Sequence, residues 1–177
     1  MTDENDIISN RREKLDRWRA LGAAYRNDFR RQALAAELHE QFADDDKATL
    51  QAAAIKSAVS GRVMLRRVMG KASFVTLQDV SGRIQCYIRQ DEVGARAYAQ
   101  FKDLWDIGDI VGISGQLMRT NHGELTLQAQ EIVLLNKTVR PLPEKYHGLA
   151  DQETKYRQRY LDLIADCSAN VLDGLQQ

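Results

Sequence analysis

Two hydrophobic rhythms divide this chain. Up to about residue 54 the apolar positions recur every three or four residues, and beyond Ile55 they alternate with a period of two. In the first part, Leu15, Trp18 and Leu21 predict an amphipathic helix over Ser9–Leu21, with Asn10 as its N-cap, Glu13 three residues on and Gly22 as its stop. Leu34, Leu38 and Phe42 form a second stripe over Arg31–Phe42, and Asp44, Asp45 and Asp46 offer caps for a short third helix reaching Ala54. The alternating part is cut by Gly70, Ser81-Gly82, Gly108 and Asn121-His122-Gly123 into strands over 57–69, 73–80, 83–89, 109–119 and 124–135. Between the third and fourth strands, Val93, Ala97 and Phe101 lie four apart, so one helix is expected over Asp91–Leu104.

The order β-β-β-α-β-β is that of the OB-fold, a five-stranded Greek-key barrel whose second and third strands commonly bind oligonucleotides. The expected class is therefore mainly β, with a helical N-terminal extension and a C-terminal linker helix. Gly112 and Gly115, in the fourth strand, suit either the bends of a small barrel or a bulge. Pro141-Leu142-Pro143 reads as a stiff linker, and Tyr156, Tyr160, Leu161 and Ile164 share one side of a helix over 151–164. The expected organisation is an extension over 1–54, a barrel over 55–138, a linker over 139–150 and the start of a further region over 151–177.

Alternation also assigns faces. Val75 and Leu77 share one side of the second strand, opposite Phe74, Thr76 and Gln78; Ile84, Cys86 and Ile88 share one side of the third, opposite Arg83, Gln85, Tyr87 and Arg89. The apolar sets fill a barrel, which leaves two rings, an amide and arginines together outside. Each residue alone is commonplace; together they have the composition of a surface that stacks and reads single-stranded bases.

Charge sharpens that picture only locally. The 25 basic and 25 acidic side chains cancel over 177 residues, yet Lys56, Arg62, Arg66, Arg67 and Lys71 fall in one stretch without an acidic residue. Such a run draws phosphate, and Arg62, Arg67 and Lys71 are the expected phosphate contacts. The first helix also carries Arg11, Arg12, Lys14, Arg17 and Arg19, which serve either as a solvated face or as phosphate contacts. Other chemistry has no support. Cys86 and Cys167 are too few for a disulfide framework, and His39, His122 and His147 lack metal-ligand spacing. Gly70-Lys71 lacks the rest of a phosphate loop. No window reaches the roughly 18 apolar residues of a membrane span, and the acidic start lacks a leader's apolar core, so a soluble, cytoplasmic protein is expected.

A family resemblance rests on several longer segments: Arg66-Arg67-Val-Met-Gly70-Lys71-Ala-Ser-Phe74-Val-Thr-Leu-Gln-Asp79, Gly82-Arg83-Ile84-Gln85, Trp105-Asp-Ile-Gly108-Asp109, Gly123-Glu124-Leu125, Arg140-Pro-Leu-Pro143 and Tyr156-Arg-Gln-Arg-Tyr-Leu-Asp-Leu163. With Arg11-Arg12-Glu13-Lys14-Leu15 and Asn27-Asp28-Phe29-Arg30-Arg31, they closely resemble the N-terminal part of bacterial lysyl-tRNA synthetases, over about Arg11–Ile164. The resemblance implies an anticodon-binding domain that reads the uridine-rich loop of lysine tRNA. Phe74 is then expected to stack on an anticodon base, Arg66 and Gln85 to hold the central uridine, and Glu124 to help define the wobble-position base, with Tyr87 a further contact by strand position. Homodimer formation, as in the family, is a candidate association; DNA is not an expected partner. After Ile164 the likeness ends, and the class II motifs that use ATP and magnesium are not in this sequence. The chain is thus expected to bind tRNA without charging it and to need no cofactor. The alternatives are a non-catalytic interaction or dimerisation fragment and a general single-strand-binding OB protein.

Overall fold

Closing five strands into a small barrel requires one strand long enough to serve two neighbours, and β1 (Lys56–Met69) is that strand. In the computed structural model, which describes residues 4–22, 24–142 and 164, its first half pairs with β4 (Ile110–Arg119) and its second half with β2 (Ala72–Gln78), Arg62 pairing with both. β2 continues to β3 (Arg83–Arg89), which meets β5 (Leu125–Asn136) in parallel, and β5 returns antiparallel to β4. The cyclic order β1-β2-β3-β5-β4 is a closed barrel, the OB-fold expected from the element order. Its interior is filled by Val63, Val75, Leu77, Ile84, Cys86, Ile88, Val111, Ile113, Leu117 and Leu127, of which the β2 and β3 members are the inward sets that alternation predicts.

Gly115 lies at a register shift between β4 and β5, where a Cβ would stand 1.9 Å from the Gln128 carbonyl oxygen. Only a residue without a side chain permits that approach. The expected helix between β3 and β4 is two, α4 (Gln90–Val93) and α5 (Ala95–Leu104), because Gly94 turns the backbone to φ 88°. α5 contributes Tyr98, Phe101 and Leu104 to the barrel core. Its Tyr98 hydroxyl donates to the Gly70 carbonyl at 3.0 Å and meets Ser73 Oγ at 2.8 Å, tying the β1–β2 turn to the helix.

The N-terminal helices join this core rather than standing apart. α1 (Glu4–Ala20) begins before the expected Ser9, so Asn10 lies inside the helix, and it buries Leu15 and Trp18 while Leu21 is exposed. α2 (Ala35–Gln41) is shorter than expected. Gln32 and Ala33 instead both donate to the Ala58 carbonyl, at 2.8 and 3.3 Å, holding the chain extended along β1. The Phe29 ring occupies the space a side chain at Gly112 would need. α3 (Lys47–Ala53) is capped by Asp46, whose carboxylate accepts the Thr49 N–H at 2.7 Å, and it buries Leu50 completely.

α2 is capped from a distant strand turn. Asp79 accepts the Ala35 N–H at 2.7 Å and Ser81 Oγ accepts that of Ala36 at 3.0 Å. Asp79 also gathers the Ser81 and Gly82 N–H groups, at 2.7 and 3.0 Å. The chain divides at Arg140 into two units, and all of these elements belong to the first. The expected linker from Pro143 and the helix over 151–164 lie outside the described residues, Ile164 excepted.

Burial opposes ionisation of Asp79, but the hydrogen bonds from Ser81, Ala35 and Gly82 outweigh it and hold the carboxyl below its ordinary 3.8. A depressed carboxylate stabilises fully above that value and loses its contribution as pH falls through the folded-state pKa. Asp79→Asn is expected to lower stability by about 1–2 kcal/mol at pH 7. In urea titrations from pH 7 downward, the gap to wild type should narrow below about pH 3.8.

Candidate nucleic-acid interface

The strand that carries the basic run does not alternate throughout. Val63 pairs with Leu77 but Leu65 pairs with Thr76, so buried Met64 is an extra residue, a β-bulge. The bulge reverses the facing of everything after it. Arg66 then opposes core residue Val75, and Arg67 opposes Phe74 on the outer face. Phe74 in turn pairs with Tyr87, and Tyr87 with Gln128. Arg67, Phe74, Tyr87 and Gln128 therefore form one row across the outside of the barrel, with the two ring centroids 4.7 Å apart and their planes inclined by 30°. Two half-buried rings packed in this way make a platform with one open side.

The next row contains Thr76, Gln85 and Thr126. Gln85 Nε2 donates to Thr126 Oγ1 at 3.0 Å, and that hydroxyl donates to the Glu124 carbonyl at 3.2 Å. Glu124 stands exposed at the end of the β4–β5 turn, its own N–H bonded to Thr120 Oγ1 at 3.2 Å. Beside the platform a cleft of about 520 Å³ runs between Phe74 and Tyr87, Gln116 and Gln128 of the sheet, the β4–β5 turn, and Lys47 and Gln51 of α3. Two cations build its far wall. Lys47 donates to Asn121 Oδ1 at 2.7 Å, and Arg119 donates to the carbonyls of Phe42, Ala43, Asp45 and Gly123 at 2.5–2.9 Å, joining the α2–α3 connection to the turn.

Of the residues expected from sequence, Phe74, Gln85 and Tyr87 share the outer face, Glu124 borders it, and exposed Arg67 and Lys71 lie at its β1–β2 edge. Arg66 does not join them. Its guanidinium donates to the Phe101 and Lys102 carbonyls at 3.2 and 2.7 Å and lies 4.8 Å from the Phe101 ring centroid, closing the last turn of α5. Burial lowers its pKa, opposed by the charges of Asp106 and Asp109. The expectation that Arg66 sits beside Gln85 fails because the Met64 bulge turns the strand over. Arg62 is likewise no phosphate contact as placed, since it donates to the Gly108 carbonyl at 2.8 Å and is half-buried near Asp109. Thr126, Arg119 and Lys47 escaped the sequence reading because the contacts that bring them to the site span 41 to 77 residues and no local motif marks them.

Comparison with known proteins agrees with the architecture. Residues 58–135 match the tRNA anticodon family, described as an OB-fold nucleic acid binding domain. The chain is 59% identical over 162 residues to the lysine–tRNA ligases of Cupriavidus taiwanensis and Azoarcus sp.. It is 58% identical over 162 residues to that of Chromobacterium violaceum. These alignments cover 92% of this chain and 31–32% of the relatives, so the chain spans about a third of their length. A barrel of this topology, a ring platform on its outer face and this degree of identity lead to one conclusion: residues 58–135 form a domain of the tRNA anticodon OB-fold type, and the chain is a homologue of the lysine–tRNA ligases over about a third of their length.

Proposed function

We propose that the outer face of β1–β3 holds the single-stranded anticodon loop of a lysine tRNA. The central uridine stacks on Phe74, its pairing edge faces Gln85 and Arg67, and the wobble-position base lies toward Glu124. The observation that carries this reading is the row Arg67–Phe74–Tyr87 with Gln85 in the adjoining row: a cation, a two-ring platform and a base-reading amide within two residue rows of one sheet. Stacking contributes about 1–3 kcal/mol per base without choosing among bases, and edge hydrogen bonds supply the choice. Arg67 replaces Arg66 in this assignment because it alone of the two faces the platform. Lys71 supplies a phosphate contact at the same edge.

In this proposal the chain works in cytoplasmic translation, recognition of the loop needs no cofactor, and no step of amino-acid activation is assigned to the described residues. Among those residues no helix is long and apolar enough to cross a membrane.

Binding to a lysine anticodon stem-loop should exceed binding to the same loop with its central uridine replaced by cytidine by tenfold or more, about 1.4 kcal/mol, at fixed physiological salt. Equal affinity for both, or for unrelated oligonucleotides, would indicate a general single-strand binder. Phe74→Ala is expected to cost about 1–3 kcal/mol of binding in the same titration.

The two arginines should separate by assay. Arg67→Ala weakens RNA binding and leaves the urea midpoint where it is. Arg66→Ala lowers folding stability by about 1–3 kcal/mol, through the lost carbonyl bonds and ring contact. The reverse pattern would return Arg66 to the binding face.

A further inference from the structure

A carboxamide reads bases ambiguously, because its oxygen and nitrogen exchange places by a half-turn about one bond. With the oxygen outward it matches an N–H at the middle of a pyrimidine's pairing edge, as in uracil; with the nitrogen outward it matches a lone pair there, as in cytosine. Gln85 alone therefore does not choose uracil, and whatever holds its amide makes the choice.

We propose that Thr126 is the positioning residue that sets the base preference of this face, by fixing the Gln85 amide with its oxygen toward the bound base. The inference rests on the anticodon reading above. Thr126 is fully buried. Its hydroxyl has one proton, and the Glu124 carbonyl 3.2 Å away can only accept, so that proton points to Glu124. The same carbonyl accepts the Thr120 N–H at 3.0 Å, which holds it in place at the β4–β5 turn. Toward Gln85, 3.0 Å away, Oγ1 is left with lone pairs alone. Only Nε2 can satisfy it there, and Oε1 is turned out of the pair. A half-turn of the amide would bring Oε1 against Oγ1, and the site then loses either this bond or, if the hydroxyl proton turns to Oε1, the Thr126 bond to the Glu124 carbonyl.

The relay has a second consequence. Gln85, which reads the central base, and Glu124, at the rim, share Thr126, so the β4–β5 turn and the base-reading amide are positioned together. A threonine is unremarkable in a strand, but a buried threonine whose hydroxyl both donates and accepts between two expected binding residues is not explained by β-propensity.

The test uses the full chain and two stem-loops, one with the central uridine and one with cytidine in its place. Thr126→Val keeps the shape and removes the hydroxyl, while Thr126→Ser keeps the hydroxyl. The uridine preference is expected to fall from tenfold or more to twofold or less in Thr126→Val, largely through tighter binding of the cytidine loop, and to persist in Thr126→Ser. A structural defect would weaken both loops alike. A Thr126→Val chain with the wild-type preference overturns the proposal and leaves the anticodon reading intact. A wild-type chain that binds both loops equally overturns the reading itself, and the selectivity with it. One measurement needs no variant: in the free wild-type chain, NMR should find one of the two Gln85 side-chain amide protons protected from solvent exchange. Equal, unprotected exchange of both overturns the bond on which the proposal depends.

Discussion

Barrel closure through β1 is the constraint from which the rest of this structure follows. One strand pairs with β4 in its first half and with β2 in its second, so its backbone must bend between the two partnerships. Gly61 permits the bend, since a Cβ there would lie 2.6 Å from the Gln78 carbonyl oxygen, and the Met64 bulge completes it. The same bulge decides the chemistry of the face. By adding one residue it sends Arg67 outward to Phe74 and Arg66 inward to α5, so the shape of the barrel and the choice of the available cation are one event.

The basic run therefore has two uses. Arg62 and Arg66 donate to carbonyl groups of the α5–β4 region, while Arg67 and Lys71 remain exposed. Burial lowers the pKa of both arginines; the charge of Asp109 opposes that effect at Arg62, and those of Asp106 and Asp109 oppose it at Arg66. Those carboxylates also bind fully buried Lys137, with Nζ at 2.8 Å from Asp109 and 2.5 Å from Asp106, and Lys14 of α1 reaches Asp106 at 2.7 Å. One end of the barrel is thus a polar junction joining α1, the α5–β4 connection and the exit of β5. It is kept apart from the rings, where the outer face stays open to a ligand.

The cleft beside the platform depends on the helices. α2 is capped through Asp79 and Ser81 of the β2–β3 turn, α3 is anchored by buried Leu50, and Arg119 ties the connection between them to the β4–β5 turn. A barrel alone would present a flat sheet. With α3 and the turn joined through Lys47 and Asn121, the sheet acquires a wall, and a flat stacking surface becomes a cleft large enough for a nucleotide.

The element order and the inward sets of β2 and β3 were legible in the sequence, because period-two alternation records which face is buried and the glycine and Ser-Gly breaks record where strands end. Phe74, Gln85 and Tyr87 could be placed together for the same reason: on β2 and β3 alternation runs unbroken, so residue parity is enough. On β1 parity failed. A bulge leaves no local sign when the extra residue is itself apolar, as Met64 is, and Arg66 and Arg67 are adjacent and chemically identical. Segment 31–34 reads as helical on its own, yet the N–H groups of Gln32 and Ala33 bond to Ala58, a partner that exists only once β1 is in place. Thr126 and Arg119 carried no signal either, since each acts through hydrogen bonds that only the closed barrel brings within reach. Local periodicity determined which side chains are buried; the tertiary fold decided which of the exposed ones meet, because a one-residue insertion reverses a strand's facing and a polar group's partner is set by closure across the chain.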